Sequence, residues 1–167
     1  MSTGRHKRNG GVVDLLKEAL GIAKALEDAG IHYAFCGAIA LAIHGYPRAT
    51  KDIDILIAQD DLQSVRKILA SLAYDLEAGI IPFDLGTTKE RRIFRTSEAE
   101  GRSLITIDLM LVSEVFDRIW QDRELYEINA IQLQVVSRQG LIEMKKIAGR
   151  KQDWADIEAL ESTESNE

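Results

Sequence analysis

The sequence predicts an α/β or α+β fold, and three observations carry that prediction. Amphipathic helical stretches alternate with short apolar runs of strand type, glycines punctuate their junctions, and one strand carries two aspartates on a single face. In Val12 to Ala29, Leu16, Ala19, Leu20, Ala23 and Leu26 form one helical stripe that Gly30 ends. Tyr33 to Ala38 reads as a short apolar strand running into Gly37, and Ile39 to His44 as a short helix stopped by Gly45. A turn over Tyr46 to Lys51 follows. Ile53, Ile55 and Ile57 then alternate with Asp52, Asp54 and Leu56, the period-two pattern of a half-buried strand.

Asp60 to Leu72 is a second amphipathic helix, with Leu62, Val65, Ile68, Leu69 and Leu72 inward. Residues 74–89, which include Gly79, Pro82 and Gly86, carry no pattern that assigns them to a helix or a strand. Arg91 to Thr96 and Ser103 to Val112 read as strands joined through a turn at Glu100-Gly101. A short helix is expected over Ser113 to Trp120 and a strand over Ala130 to Val136. Two helices then flank Gly149, the first capped by Ser137. Trp120 and Trp154 fall in helical patterns and are expected to be packing anchors. Residues 1–11 and 162–167 read as polar tails around one domain over residues 12–161.

Composition narrows the function. The 167 residues, 46% hydrophobic, suffice for a core. A net charge of −6 argues against broad nonspecific binding to nucleic acid. Cys36 is the only cysteine, so no intramolecular disulfide forms, and a reducing cytoplasm is the expected setting. Its apolar surroundings suit a packed thiol. No stretch is long enough to cross a membrane. Arg5-His6-Lys7-Arg8 lacks the apolar segment of a signal peptide. The histidines at 6, 32 and 44 do not form a zinc pattern, and His44 reads as a helix cap.

Asp52 and Asp54 are the most telling residues. Two carboxylates so close on a strand repel unless a cation lies between them, and hard oxygen ligands suit Mg²⁺. An edge strand with its aspartates in water is the other reading. Upstream, a glycine at a strand–helix junction lets a phosphate approach the backbone amides and the helix dipole. Asp108, a lone acid in the apolar run Ser103 to Val112, is costly to bury unpaired. It is either a third metal ligand or the partner of Arg92 or Arg95, while Asp75 and Asp84 are weaker rivals. Arg48 lies in the loop before Asp52, where a guanidinium suits phosphate or carboxylate.

Residues 35–57, Phe-Cys-Gly-Ala, a thirteen-residue spacer and Asp-Ile-Asp-Ile-Leu-Ile, resemble the signature of the DNA polymerase β-like nucleotidyltransferases. The string His44 to Asp54, and the later segment Ser137 to Ile157, resemble the AbiEii-type branch. The resemblance implies a mixed β-sheet flanked by helices. It implies two Mg²⁺ ions, Mn²⁺ being the substitute, on Asp52, Asp54 and Asp108. It also implies an NTP seated at Gly37 and Ala38, with Arg48 beside it and Lys145 neutralising the triphosphate. Without the resemblance, Lys145 reads equally as a solvated helix lysine, and Asp153 and Asp156 as structural acids paired with Arg150 or Lys151. Ala38 departs from the family's Gly or Ser and removes a hydroxyl. The implied reaction transfers a nucleoside monophosphate to an acceptor on tRNA, a protein or a small molecule, releasing pyrophosphate. The alternative is a noncatalytic module of the same fold, for example a toxin–antitoxin component with a protein partner.

Overall fold

A computed structural model describes residues 14–100 and 103–162 of the chain. In order the helices and strands are α1 (Leu15–Asp28), β1 (Ala34–Cys36), α2 (Gly37–Ile43), β2 (Asp52–Ile57), α3 (Leu62–Ser71) and β3 (Leu76–Phe83). Then come β4 (Arg91–Glu100), β5 (Ser103–Leu111), α4 (Asp117–Gln121), β6 (Glu124–Ile128), β7 (Ile131–Val135), α5 (Arg138–Ala148) and α6 (Lys151–Ser162). The strands form one sheet in the order β3-β4-β5-β2-β1-β7-β6. β2 runs parallel to β5 and β1 parallel to β7, while the other pairs are antiparallel. This is the mixed sheet with flanking helices that the sequence predicts.

Local chemistry explains the element ends. Asp14 accepts from the Lys17 N–H at 3.2 Å and caps α1. Ser137 accepts from the Gly140 N–H at 3.0 Å at the start of α5, and Gly149, at φ +63°, ends that helix in the left-handed region. His44 is the C-cap of α2, and its Nε2 also lies 3.0 Å from the Val136 carbonyl oxygen just after β7. β6 and β7 close through Asn129-Ala130, both at positive φ, the geometry of a two-residue I′ hairpin.

The core lies mainly between the sheet and α1 and α3. Ile53, Ile55, Ile57, Ile105, Ile107 and Leu109 are buried there with Ala19, Ile22, Ala23, Leu26, Val65 and Leu69. Arg66 of α3 lies over the Phe94 ring, with 4.9 Å from guanidinium carbon to centroid. Several expectations need correction. Leu72 is exposed, because α3 ends at Ser71 and Leu72 is its cap. Trp154 is 53% exposed: α6 buries Asp153, Asp156, Ile157 and Leu160, which turns Trp154 to solvent. Trp120 does pack against the core, with Arg123 stacked 4.1 Å from its ring centroid. Residues 76–83, unassigned from sequence, form the edge strand β3, with a bulge between Glu77 and Gly79. The turn expected at Glu100-Gly101 and most of both tails lie outside the described residues. Among the described residues, no helix is long and apolar enough to cross a membrane.

Candidate active site

Strand alternation builds the site. With Ile53 and Ile55 in the core, Asp54 is sent to the opposite face of β2. Parallel pairing sets Asp54 beside Asp108 of β5, and antiparallel pairing sets Asp108 beside Arg95 of β4. Cys36 of β1 stands beside Asp54 on the other side. Cys36, Asp54, Asp108 and Arg95 thus form a row across four strands.

A cavity of about 400 Å³ opens over Asp54, Asp108 and Arg95 of this row. Gly37, Asp54, Asp108 and Lys145 line it, together with Arg95, Arg150 and Asp153. Leu141 and Met144 of α5 and Phe83, Ile93 and Met110 supply its apolar walls. Ala38, Arg48 and Asp52 do not line it. Ala38 is buried in the first turn of α2, and Asp52 is exposed at the start of β2. The Asp52 N–H donates to Thr50 Oγ1 at 3.2 Å.

The expected helix α2 has seven residues, and Gly37 meets a carboxylate there. At φ +56° it occupies the left-handed region, and a Cβ added to it would overlap the Asp54 carboxylate. Only glycine lets Asp54 lie against this corner.

Charge is unevenly compensated along the row. Asp108 is buried, and Arg95 holds both its oxygens: Nε donates to Oδ1 at 2.8 Å and Nη2 to Oδ2 at 2.9 Å. Of the two arginines the sequence offers as partners, the structure selects Arg95. Arg92, three residues earlier on the same strand, instead lies 3.8 Å from Glu90. Asp54 has no such fork. Its pKa is pushed up to about 7, first by burial, then by the charges of Asp108 and Asp52, against a smaller pull from Arg150 and Lys145. Burial also pushes the Cys36 thiol up, with Asp54 and Asp108 adding to the shift, and its S–H donates to Met110 Sδ at 3.6 Å. It is a packed, protonated thiol, as its sequence context predicts. Among the described residues, no three carboxylate, His or Cys side chains are already gathered as a metal-binding cluster.

Lys145 is buried, which excludes the solvated-lysine reading. Its Nζ donates to Asp156 Oδ2 at 2.8 Å and lies 3.7 Å from Asp153 Oδ1. Arg48 Nη2 reaches the same Asp156 oxygen at 3.1 Å, and Gln152 Nε2 donates to Asp156 Oδ1 at 3.0 Å. Burial would raise the Asp156 pKa, but the Lys145 and Gln152 hydrogen bonds and the Lys145 and Arg48 charges hold it below the ordinary value. Asp153 takes the Arg150 backbone N–H at 3.0 Å and Arg150 Nε at 2.9 Å, joining the α6 entrance to the cavity. The expected Arg150–Asp153 pair is therefore present, whereas Asp156 pairs with Lys145 and Arg48. Arg95 and Arg150 are cavity cations that sequence reasoning did not place there. Their spacing relative to Asp54 carries no local signal, since both reach the site through tertiary pairing.

Comparison with known proteins gives a consistent picture. Residues 22–166 match the family described as nucleotidyl transferase AbiEii toxin, type IV TA system. Curated protein sequences give no match. A Thermotoga maritima protein assigned to the nucleotidyltransferases superposes with a TM-score of 0.61 at 14% identity, over 98% of this chain and 100% of its own. The lincosamide antibiotic adenylyltransferase LnuA, solved with lincomycin bound, gives a TM-score of 0.61 at 16% identity, over 92% and 99%. ANT(2″)-Ia, solved with adenylyl-2″-tobramycin, gives 0.57 at 12%, over 90% of each chain. At these identities the likenesses are of fold. With a family match spanning most of its length and the fold to go with it, the chain belongs to the AbiEii nucleotidyltransferase toxin family.

Proposed function

We propose that residues 12–161 form one domain that transfers a nucleoside monophosphate from an NTP to an acceptor hydroxyl with the help of Mg²⁺ or Mn²⁺. The observation that carries this reading is the pairing of Asp54 with Asp108 on adjacent parallel strands, beside Gly37, in one cavity. The donor set fits a hard divalent cation. Burial first, then the charges of Asp108 and Asp52, raise the Asp54 pKa to about 7, and a bound cation would offset both costs. Asp52, Asp54 and Asp108 would hold the metal, which when bound neutralises the triphosphate and acidifies the acceptor hydroxyl.

The chain's own residues supply position and charge. Gly37 keeps the corner open beside Asp54. Lys145 and Arg150 bring positive charge to the same wall, and Arg48 acts through Asp156, which it shares with Lys145. In the reaction the acceptor oxygen bonds to the α-phosphorus and the α–β bridging P–O bond breaks. Pyrophosphate leaves with the bridging oxygen, and the hydroxyl proton passes to solvent. The acceptor is a hydroxyl of tRNA, a protein or a small molecule. Within a toxin–antitoxin pair acting in the cytoplasm, the chain would be the toxin.

One observation favours a second reading. Arg95 satisfies Asp108 without any metal, as it would in a noncatalytic binding module. Calorimetric titration of the four NTPs with Mg²⁺ separates the two. Binding that requires metal and is lost in Asp52→Ala and Asp54→Ala supports the transferase. Absence of binding by the folded wild type supports the module.

A further inference from the structure

Asp108 is the one carboxylate of the row whose two oxygens are both taken by a single side chain. The pair is mechanically asymmetric. Asp108 is buried in β5, whereas the Arg95 side chain is 43% exposed and lines the cavity shared by Gly37, Lys145 and Arg150. On its other flank Arg95 is paired in register with Gly79 of β3, which has no side chain to hold or block it. Among the described residues the guanidinium's hydrogen bonds go to Asp108 alone, and its exposed side faces the cavity. A divalent cation and a guanidinium both seek the carboxylate's lone pairs and repel each other, so they compete at Asp108. A triphosphate entering the cavity offers the same planar fork a second set of oxygens.

We propose that Arg95 is a displaceable counter-ion, a positioning residue whose role rests on the transferase reading above. It stands in for the cation at Asp108 and moves to the triphosphate when the metal–nucleotide complex arrives. Metal alone then binds poorly, because it must evict Arg95 without giving it a new partner. Metal and nucleotide together bind well. The exchange makes filling of the site cooperative, and it limits occupation by free divalent cation.

The test is Mn²⁺ binding by electron paramagnetic resonance, on the full chain, with and without a non-hydrolysable NTP analogue. Arg95→Gln should bind Mn²⁺ about tenfold more tightly than wild type when no nucleotide is present, and the analogue with Mn²⁺ about tenfold more weakly. Arg95→Lys, which keeps charge but loses the fork, should fall between. A purely structural role would not move the two affinities in opposite directions. If Arg95→Gln binds Mn²⁺ no more tightly while Asp54→Asn abolishes binding, the counter-ion proposal is overturned and the transferase reading stands. If Asp52→Asn and Asp54→Asn leave Mn²⁺ binding intact, that reading fails and takes the proposal with it. Loss of folding, by circular dichroism, in both Arg95 variants would make the pair structural and overturn the proposal.

Discussion

Replacing Asp54 by asparagine should stabilise the protein in EDTA at pH 8 and change little near pH 4. Asparagine mimics the protonated carboxyl in shape and removes the charge. The folded-state pKa of Asp54 is about 7, against an ordinary value of 3.8. Between those values the folded chain holds a proton that the unfolded chain has released. Stability therefore falls as pH rises through this window, and the loss is complete above pH 7. A shift of about three pH units at ~1.4 kcal/mol each sets a ceiling of roughly 4 kcal/mol. Relaxation and partial access of water bring the working expectation to about 2 kcal/mol. Urea unfolding followed by circular dichroism at pH 5, 6, 7 and 8 reads this directly. The gap between Asp54→Asn and wild type should widen with pH, and saturating Mg²⁺ should narrow it by stabilising only the wild type. Equal stabilities at pH 8, or a gap that does not grow from pH 5, would refute the raised Asp54 pKa that burial and the neighbouring carboxylates produce.

Other substitutions test other parts of the site. Gly37→Ala places a Cβ in the Asp54 carboxylate at a positive φ and should cost about 2–4 kcal/mol by urea unfolding. Lys145→Met leaves Asp153 and Asp156 buried without their shared cation and should cost about 3–5 kcal/mol, measurable by the same method. Arg48→Ala, from a side chain 35% exposed, should cost about 1 kcal/mol or less, so the two variants rank the partners of Asp156. Apparent Mn²⁺ affinity should fall about tenfold per pH unit below 7 as Asp54 takes up its proton, a slope that titrations at pH 5.5, 6.5 and 7.5 would show.

The parts of the fold legible in the sequence are those where one face is buried and the other is not. β2 and β5 alternate visibly because their aliphatic faces meet α1 and α3. β3 was hidden because, as an edge strand, it exposes Leu76, Ile80 and Phe83 to water, and Gly79 and Pro82 break its pattern. β6 is half polar, and its hairpin turn uses Asn129-Ala130 where an Asn-Gly pair would have given a clear signal. In the site, Asp54 and Asp108 stood out as acids in apolar runs. Their mutual register, and the arrival of Arg95 and Arg150, depend on which strands and helices become neighbours. Trp154 shows the converse limit. Its helical context was correct, but α6 turns two acids inward toward Lys145, so apolar periodicity misjudged which face was buried.

The register of Arg95, Asp108 and Asp54 also bears on the order of events expected during folding. Arg95 and Asp108 lie thirteen residues apart, on strands joined directly as a hairpin. Asp54 meets Asp108 only after β2 closes a long loop to lie parallel to β5, a step that non-local pairing makes slow. The hairpin can therefore neutralise Asp108 before the second acid arrives, and the sheet closes without two bare carboxylates meeting at its centre. On this view Arg95 acts first as an assembly partner, neutralising Asp108 of β5 before β2 brings Asp54 beside it. Arg95→Gln should accordingly slow refolding more than it speeds unfolding, which stopped-flow chevrons at pH 8 would reveal.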